Sequence, residues 1–245
     1  MFNNIISILF VVIIFLLAGC ATTPLDETKK RNVNHVASAI LFDEELPVVY
    51  VGTTIFNNTG SKVDTKSWGL NKIIENEIES GIKSIGKTYK HIKLDRQKIQ
   101  AAIESGDTPL KRFAGDPNKE VNEYLFTSAL SQGAKYLYIF RPSKSDNFPH
   151  YPKGMGLFCR SAFGTKGDWE AYSLFHVALW DLSTREKVYQ TGFSPANTAI
   201  KSGKPCEELS KFSPDKFAML FQDQFKELAR QSAKMTLKKS GLLVK

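Results

Sequence analysis

Cysteine is scarce in this chain. Three residues in 245 are too few for a disulfide scaffold and too few for a zinc site built from cysteines alone. The mixture of 42% hydrophobic and 24% charged residues excludes a disordered protein, a collagen-like repeat and a polytopic membrane protein. No Gly-x-Ser-x-Gly elbow, His-Glu-x-x-His pair, Walker loop or Gly-x-Gly-x-x-Gly turn occurs. The histidines His35, His91, His150 and His176 are widely separated, and none sits at ligand spacing from another. His176 lies in an apolar stretch, where a hydrogen-bonded structural imidazole is favoured over a metal ligand. No metal, no cofactor and no catalytic residue is therefore expected. Asp43-Glu44-Glu45 stands before Pro47 as a solvated turn, and paired acids for glycan cleavage would need a cleft. A wall- or lipid-modifying hydrolase is the least favoured class.

What the sequence does have begins at its first residues. Ile5 to Ala18 is an uncharged run of fourteen residues broken only by Ser7. As a helix it spans about 21 Å, short of a hydrocarbon core of roughly 30 Å. Small residues and then the polar Ala21-Thr22-Thr23-Pro24 follow it, which is the layout of a signal peptide over residues 1–19. The leader lacks the usual Lys or Arg near Met1, so an uncleaved anchor helix is the alternative. Leu17-Ala18-Gly19-Cys20 resembles the bacterial lipobox. That resemblance implies cleavage before Cys20, diacylation of its sulfur, including palmitate, and acylation of the new amino terminus. Ala21 rather than Asp after the cysteine implies, by resemblance to Gram-negative lipoprotein sorting, the outer membrane with the chain facing the periplasm. The net charge of +8 favours anionic neighbours without choosing among them; export disfavours nucleic acid.

Residues 20–46 read as a lipidated tether and residues 47–245 as one α/β domain, a layered fold with a mixed sheet flanked by helices. Val48 to Phe56 is apolar on both faces, as a central strand is, and Asn57-Asn58-Thr59-Gly60 turns it. Leu70, Ile73, Ile74, Ile78, Ile82 and Ile85 form one stripe of a helix. Tyr89 to Leu94 predicts a short strand, Asp95 caps a helix to Glu104, and Asp116-Pro117 opens another that ends at Gly133, before a strand over Ala134 to Phe140. Tyr172 to Asp181 and Lys187 to Phe193 predict an antiparallel hairpin. Ser213-Pro214 opens a long C-terminal helix whose apolar face includes Phe217, Leu220, Phe221, Phe225 and Leu228. Residues 141–171 and 194–212 carry no clean period and read as irregular insertions.

The order of these pieces resembles the α/β lipoprotein group that includes the curli-secretion lipoproteins, the penicillin-binding-protein activator lipoproteins and the TolB amino-terminal domain. The likeness rests on Phe56 to Gly60, on Asp95-Arg96 with Ile99 and Ile103, on Ser131 to Tyr138 and on Asp181 to Tyr189. Arg185 stands where the group commonly has a hairpin glycine, and the 141–170 segment has no counterpart. The resemblance implies the fold and a scaffold role in the envelope, and it transfers no catalytic residue.

Three sets of residues bear on function. Cys159 and Cys206, in an exported chain, pair most simply as a disulfide, with two separate buried thiols as the alternative. Lys226, Arg230, Lys234 and Lys238 repeat every four residues along the last helix, either as a solvated face or as a contact for anionic headgroups or wall polymer. Phe148, His150, Tyr151, Phe158, Phe163 and Trp169 either cover a sheet edge or form a partner surface. The leading expectation is a non-catalytic, lipid-anchored envelope protein that binds a protein or peptidoglycan partner. The second is a subunit of an oligomeric outer-membrane secretion or pore assembly.

Overall fold

The computed structural model describes residues 24–53, 58–106, 116–145, 147–161, 167–206 and 213–243. The leader, Cys20, Phe56, Phe163 and the side chain of Phe217 lie outside the described residues. The first element is a helix, α1 (Glu27–Asn32), capped by Asp26, whose carboxylate accepts from the Lys29 amide at 2.8 Å. Strand β1 (Val36–Ile40) follows, buried at every position. Both lie within residues 20–46, so the second half of the expected tether belongs to the body of the domain. The sequence shows only a short apolar patch around Val36 to Phe42 here, because Ala37, Ser38 and Ala39 are small and a strand covered on two faces shows no alternation.

The remaining strands are β2 (Glu45–Val51), β3 (Thr59–Asp64), β4 (Tyr136–Pro142), β5 (Gly154–Arg160), β6 (Asp168–Asp181), β7 (Glu186–Phe193) and β8 (Ile200–Pro205). They form one open, mixed sheet in the order β1-β4-β6-β5-β2-β3, with β7 and β8 also paired to β6. The fourteen-residue β6 joins two half-sheets. Its first half pairs antiparallel with β5 and β8, and its second half antiparallel with β4 and β7. β1 runs parallel to β4, and β2 parallel to β5. β5, with six consecutive buried residues, the one-turn helix α5 (Pro195–Thr198) and β8 fall in the stretches expected to be irregular.

Helices cover both faces. On one, α2 (Leu70–Ser84) and α7 (Gln222–Ser240) lie against Tyr138, Phe140, Phe175, Val177 and Leu179. The predicted stripe of α2 is real: Ile74, Ile78 and Ile82 are fully buried, and Leu70, Ile73 and Ile85 flank them. The two helices approach so closely that a Cβ on Gly81 would stand 2.2 Å from Leu237 Cδ1. On the other face, α3 (Arg96–Gly106) and α4 (Lys119–Ser131) bury Ile99, Val121, Leu125 and Phe126 over Ala37, Ala39, Leu137 and Ile139. Asp95 caps α3 as expected, accepting from the amides of Gln97 and Lys98.

Three expectations are corrected in detail. Among the described residues, Tyr89 to Leu94 makes a single bridge, Val36 to Tyr89. Beyond Lys90 the backbone turns away from β1: Lys93 N donates to Gln132 Oε1 and Asp95 N to Tyr124 Oη. The C-terminal helix is broken into a short α6 (Pro214–Met219) and α7, and Leu220, at the break, is half exposed instead of facing the core. His176 is exposed on β6, opposite Gly192 and Arg141, and its ring lies over Gly192. The hairpin itself is present, with Arg185 at φ +59°, the left-handed conformation a glycine would adopt without strain.

Buried phenols tie the layers together. Tyr138 Oη donates to Ser240 Oγ at 3.1 Å, joining β4 to α7, and Tyr172 Oη donates to the Pro152 carbonyl at 3.0 Å. Burial raises both phenols far above their ordinary value, and it pushes Tyr189 up to about 12. These groups hold their protons more tightly folded than unfolded. Their contribution is therefore complete below about pH 10 and is lost as pH climbs through the folded values. Urea unfolding in pH steps should give a level stability up to about pH 10 and a steep fall above it, coincident with tyrosinate absorbance.

Candidate functional site

The first half of β6 organises the site. Successive side chains of a strand point to opposite faces, so Glu170 and Tyr172 share one face while Trp169 enters the other. On the Tyr172 side, Phe158 of β5 and Leu174 of β6 form a small apolar cluster with Val49 and Val51 of β2. The loop before β5 folds over it. Tyr151 stacks on Phe158 with ring centroids 3.9 Å apart and meets Tyr172 edge-on at 4.9 Å; Phe148 meets Tyr151 edge-on at 5.8 Å. Tyr151 Oη donates to Glu170 Oε2 at 3.0 Å. Burial, aided by the Glu170 carboxylate, raises the Tyr151 phenol well above its ordinary value.

The result is an aromatic shelf beside a cleft of about 480 Å³, whose rim carries His150, Arg160, Asp168 and Lys201. Phe148 and Tyr151 are half-buried and present their outer faces; Phe158 is buried as their support. Trp169, expected on the same surface, is fully buried in the main core, 6.4 Å from Tyr50. Tyr172, Glu170 and Lys201 were not picked out from the sequence. The period of two along β6 was the signal for the first two, since it separates them from Trp169.

Cys159, near the end of β5, is bonded to Cys206, just after β8, with Cα atoms 5.9 Å apart. The bridge passes the start of β6 at Gly167. A Cβ there would lie 2.0 Å from the Arg160 carbonyl oxygen and 3.2 Å from Cys206 Sγ, so the position has no room for a side chain. The cross-link thus holds together the two strands that flank the first half of β6.

Three of the four cations of the α7 stripe lie near an acid. Lys226 lies 4.0 Å from Asp223, Arg230 3.5 Å from Glu227, and Lys234 3.9 Å from Glu77 of α2. Lys238 is exposed. A second concavity, of about 930 Å³, lies where α4 leaves β6 and β7 uncovered, lined by Arg141, His176, Trp180 and Lys187. Arg141 donates to Asn122 Oδ1 at 2.9 Å. His91 sits between Glu75 and Glu79, at 3.2 and 3.1 Å.

The cross-link closes a separation of 47 residues, which in the chain-entropy model stabilises the fold by about 4 kcal/mol. Replacing both cysteines by alanine should lower the unfolding free energy by about 2–4 kcal/mol in urea titrations. An unchanged midpoint would mean that the bridge contributes nothing.

No protein-family model and no curated protein sequence matches the chain. Among solved structures it is similar to the LpoB C-terminal domain from Salmonella enterica, over 77% of this chain and 90% of that chain, at 10% sequence identity and a TM-score of 0.24. A superposition that loose carries no functional argument.

Proposed function

We propose that this protein is exported, lipidated at Cys20 and held in the outer membrane facing the periplasm, where it works by binding a protein or peptidoglycan partner through the aromatic shelf. The observation that carries the reading is the shelf itself. Its phenols keep their protons far above neutral pH, one hydrogen-bonded to Glu170 and the other to a backbone carbonyl. Groups held in that way are suited to stacking and hydrogen bonding as neutral phenols. Partly buried aromatic rings bordered by Arg160, Lys201, Asp168 and Glu170 combine the anchor and rim chemistry of an interface. The Cys159–Cys206 bridge supports an oxidising compartment, and the leader ending in Cys20 supplies the route to it.

The two parts of the proposal separate experimentally. Cys20→Ser should abolish palmitate labelling and move the chain from the envelope pellet to the soluble fraction. A photo-crosslinking residue in place of Phe148 should capture one discrete partner in intact cells. The same residue at Glu227, exposed on α7, should capture none. Tyr151→Ala should weaken that capture about tenfold or more. Equal capture from both positions would remove the shelf as the binding surface, and palmitate labelling that survives Cys20→Ser would remove the anchor.

A further inference from the structure

If Cys20 carries acyl chains, very little chain separates them from the folded body. Leu25 is buried, and its amide donates to the Ser240 carbonyl at 3.1 Å, so the polypeptide is already fixed to the end of α7 at that point. Lys87 then locks α1 in place, with Nζ donating to the carbonyls of Lys30 at 2.7 Å and Val33 at 2.5 Å. From Cys20 to Leu25 the chain advances five residues, a reach of at most about 18 Å when fully extended. The polar layer of one leaflet is itself about 5–7 Å thick, and charges act over a Debye length of about 8 Å. The part of the domain around Leu25 is thus confined to the range of the headgroup field.

That part is basic. The start of β1, the start of β4, the 85–93 connection and the end of α7 meet there: Lys90 N donates to the Val36 carbonyl, Lys135 N to the His35 carbonyl, and Lys93 N to Gln132 Oε1. Arg31, Lys90, Lys93, Lys135 and Lys238 have no carboxylate partner among the described residues. The nearby acids are already engaged: Asp26 with Lys29, Glu27 with Lys30 and Glu79 with Lys83. Asp181 accepts from Ser183, Glu123 pairs with Arg185, and Glu186 is exposed in the hairpin.

We propose that this end of the domain rests on the anionic phospholipid headgroups of the membrane that holds Cys20, which stands the aromatic shelf away from the bilayer. The inference rests on the lipid anchor proposed above and adds an orientation to it. Glu170, in the shelf, and Asp181, at the basic end, are eleven residues apart on β6, so the shelf stands roughly 35 Å out along that strand. Charge complementarity and the short tether point to the same occupant.

The test uses the chain from residue 20 onward with Cys20→Ser, so that no acyl chain contributes. Sedimentation with phosphatidylglycerol vesicles should pellet it, and phosphatidylcholine vesicles should leave it in solution. The combined change Arg31→Gln, Lys90→Gln, Lys135→Gln and Lys238→Gln should weaken the association by about tenfold or more. Removing the same charge elsewhere, with Lys66→Gln, Lys144→Gln, Lys153→Gln and Lys204→Gln, should change it less than about twofold. Equal losses in the two variants, or no binding by the parent chain, would overturn the proposal. Circular dichroism establishes that each variant is folded. Palmitate labelling of the unmutated chain in cells is read independently, so failure of the anchor and failure of the headgroup contact give different results.

Discussion

Everything in this domain is arranged on β6. A fourteen-residue strand whose two halves take different neighbours must satisfy hydrogen-bond ladders on both edges along most of its length, with one face covered throughout and the other open only around His176. Phe175, Val177 and Leu179 face α2 and α7, while Tyr172 and Leu174 face the shelf. An unsatisfied amide in so enclosed a strand would cost as much as a lost hydrogen bond. The ladder's register shifts, between Leu179 and Trp180 and between Asp168 and Glu170, occur towards its two ends, whereas the change of partners falls at its middle, between Leu174 and Phe175.

The elements with a strong period were legible from residues alone. The isoleucine stripe of α2, the cap at Asp95 and the hairpin after Asp181 are local patterns, each with its own physical cause. Elements whose order comes from tertiary covering were not legible. β5 reads Gly154-Met155-Gly156-Leu157-Phe158-Cys159, and all six are buried, so no alternation marks it as a strand. β1 is hidden by its small side chains and by the charged helix before it. The break before α7 is also tertiary in origin: Phe221, fully buried, occupies the position where a continuous helix would have run on, while Met219 and Leu220 face out.

The site was half legible for a related reason. Aromatic composition brought Phe148, Tyr151, Phe158 and Trp169 together, but composition does not know about pleat direction. The strand's alternation puts Trp169 into the core beside Tyr50 and sets Tyr172 and Glu170 beneath Tyr151 in its place. Likewise the four-residue spacing of the α7 cations was real, yet acids on the same helix and on α2 meet three of them. The pairing of Cys159 with Cys206 was readable from their number. What the bridge requires of Gly167 was not, because that constraint arises only where the Arg160 backbone and the sulfur converge.

The junction between Leu25 and Ser240 has a consequence for how the chain can assemble. The amide near the beginning of the body is satisfied by the last turn of the last helix, and Tyr138 in the middle strand also donates to that residue's side chain. A polypeptide emerging amino terminus first cannot complete either contact until nearly all of it has appeared. Such distant pairings impose a loop-closure cost before they return any stability. The nascent molecule therefore waits with α2 and one face of its sheet uncovered, and this open interval is when a holdase chaperone would find its widest apolar target.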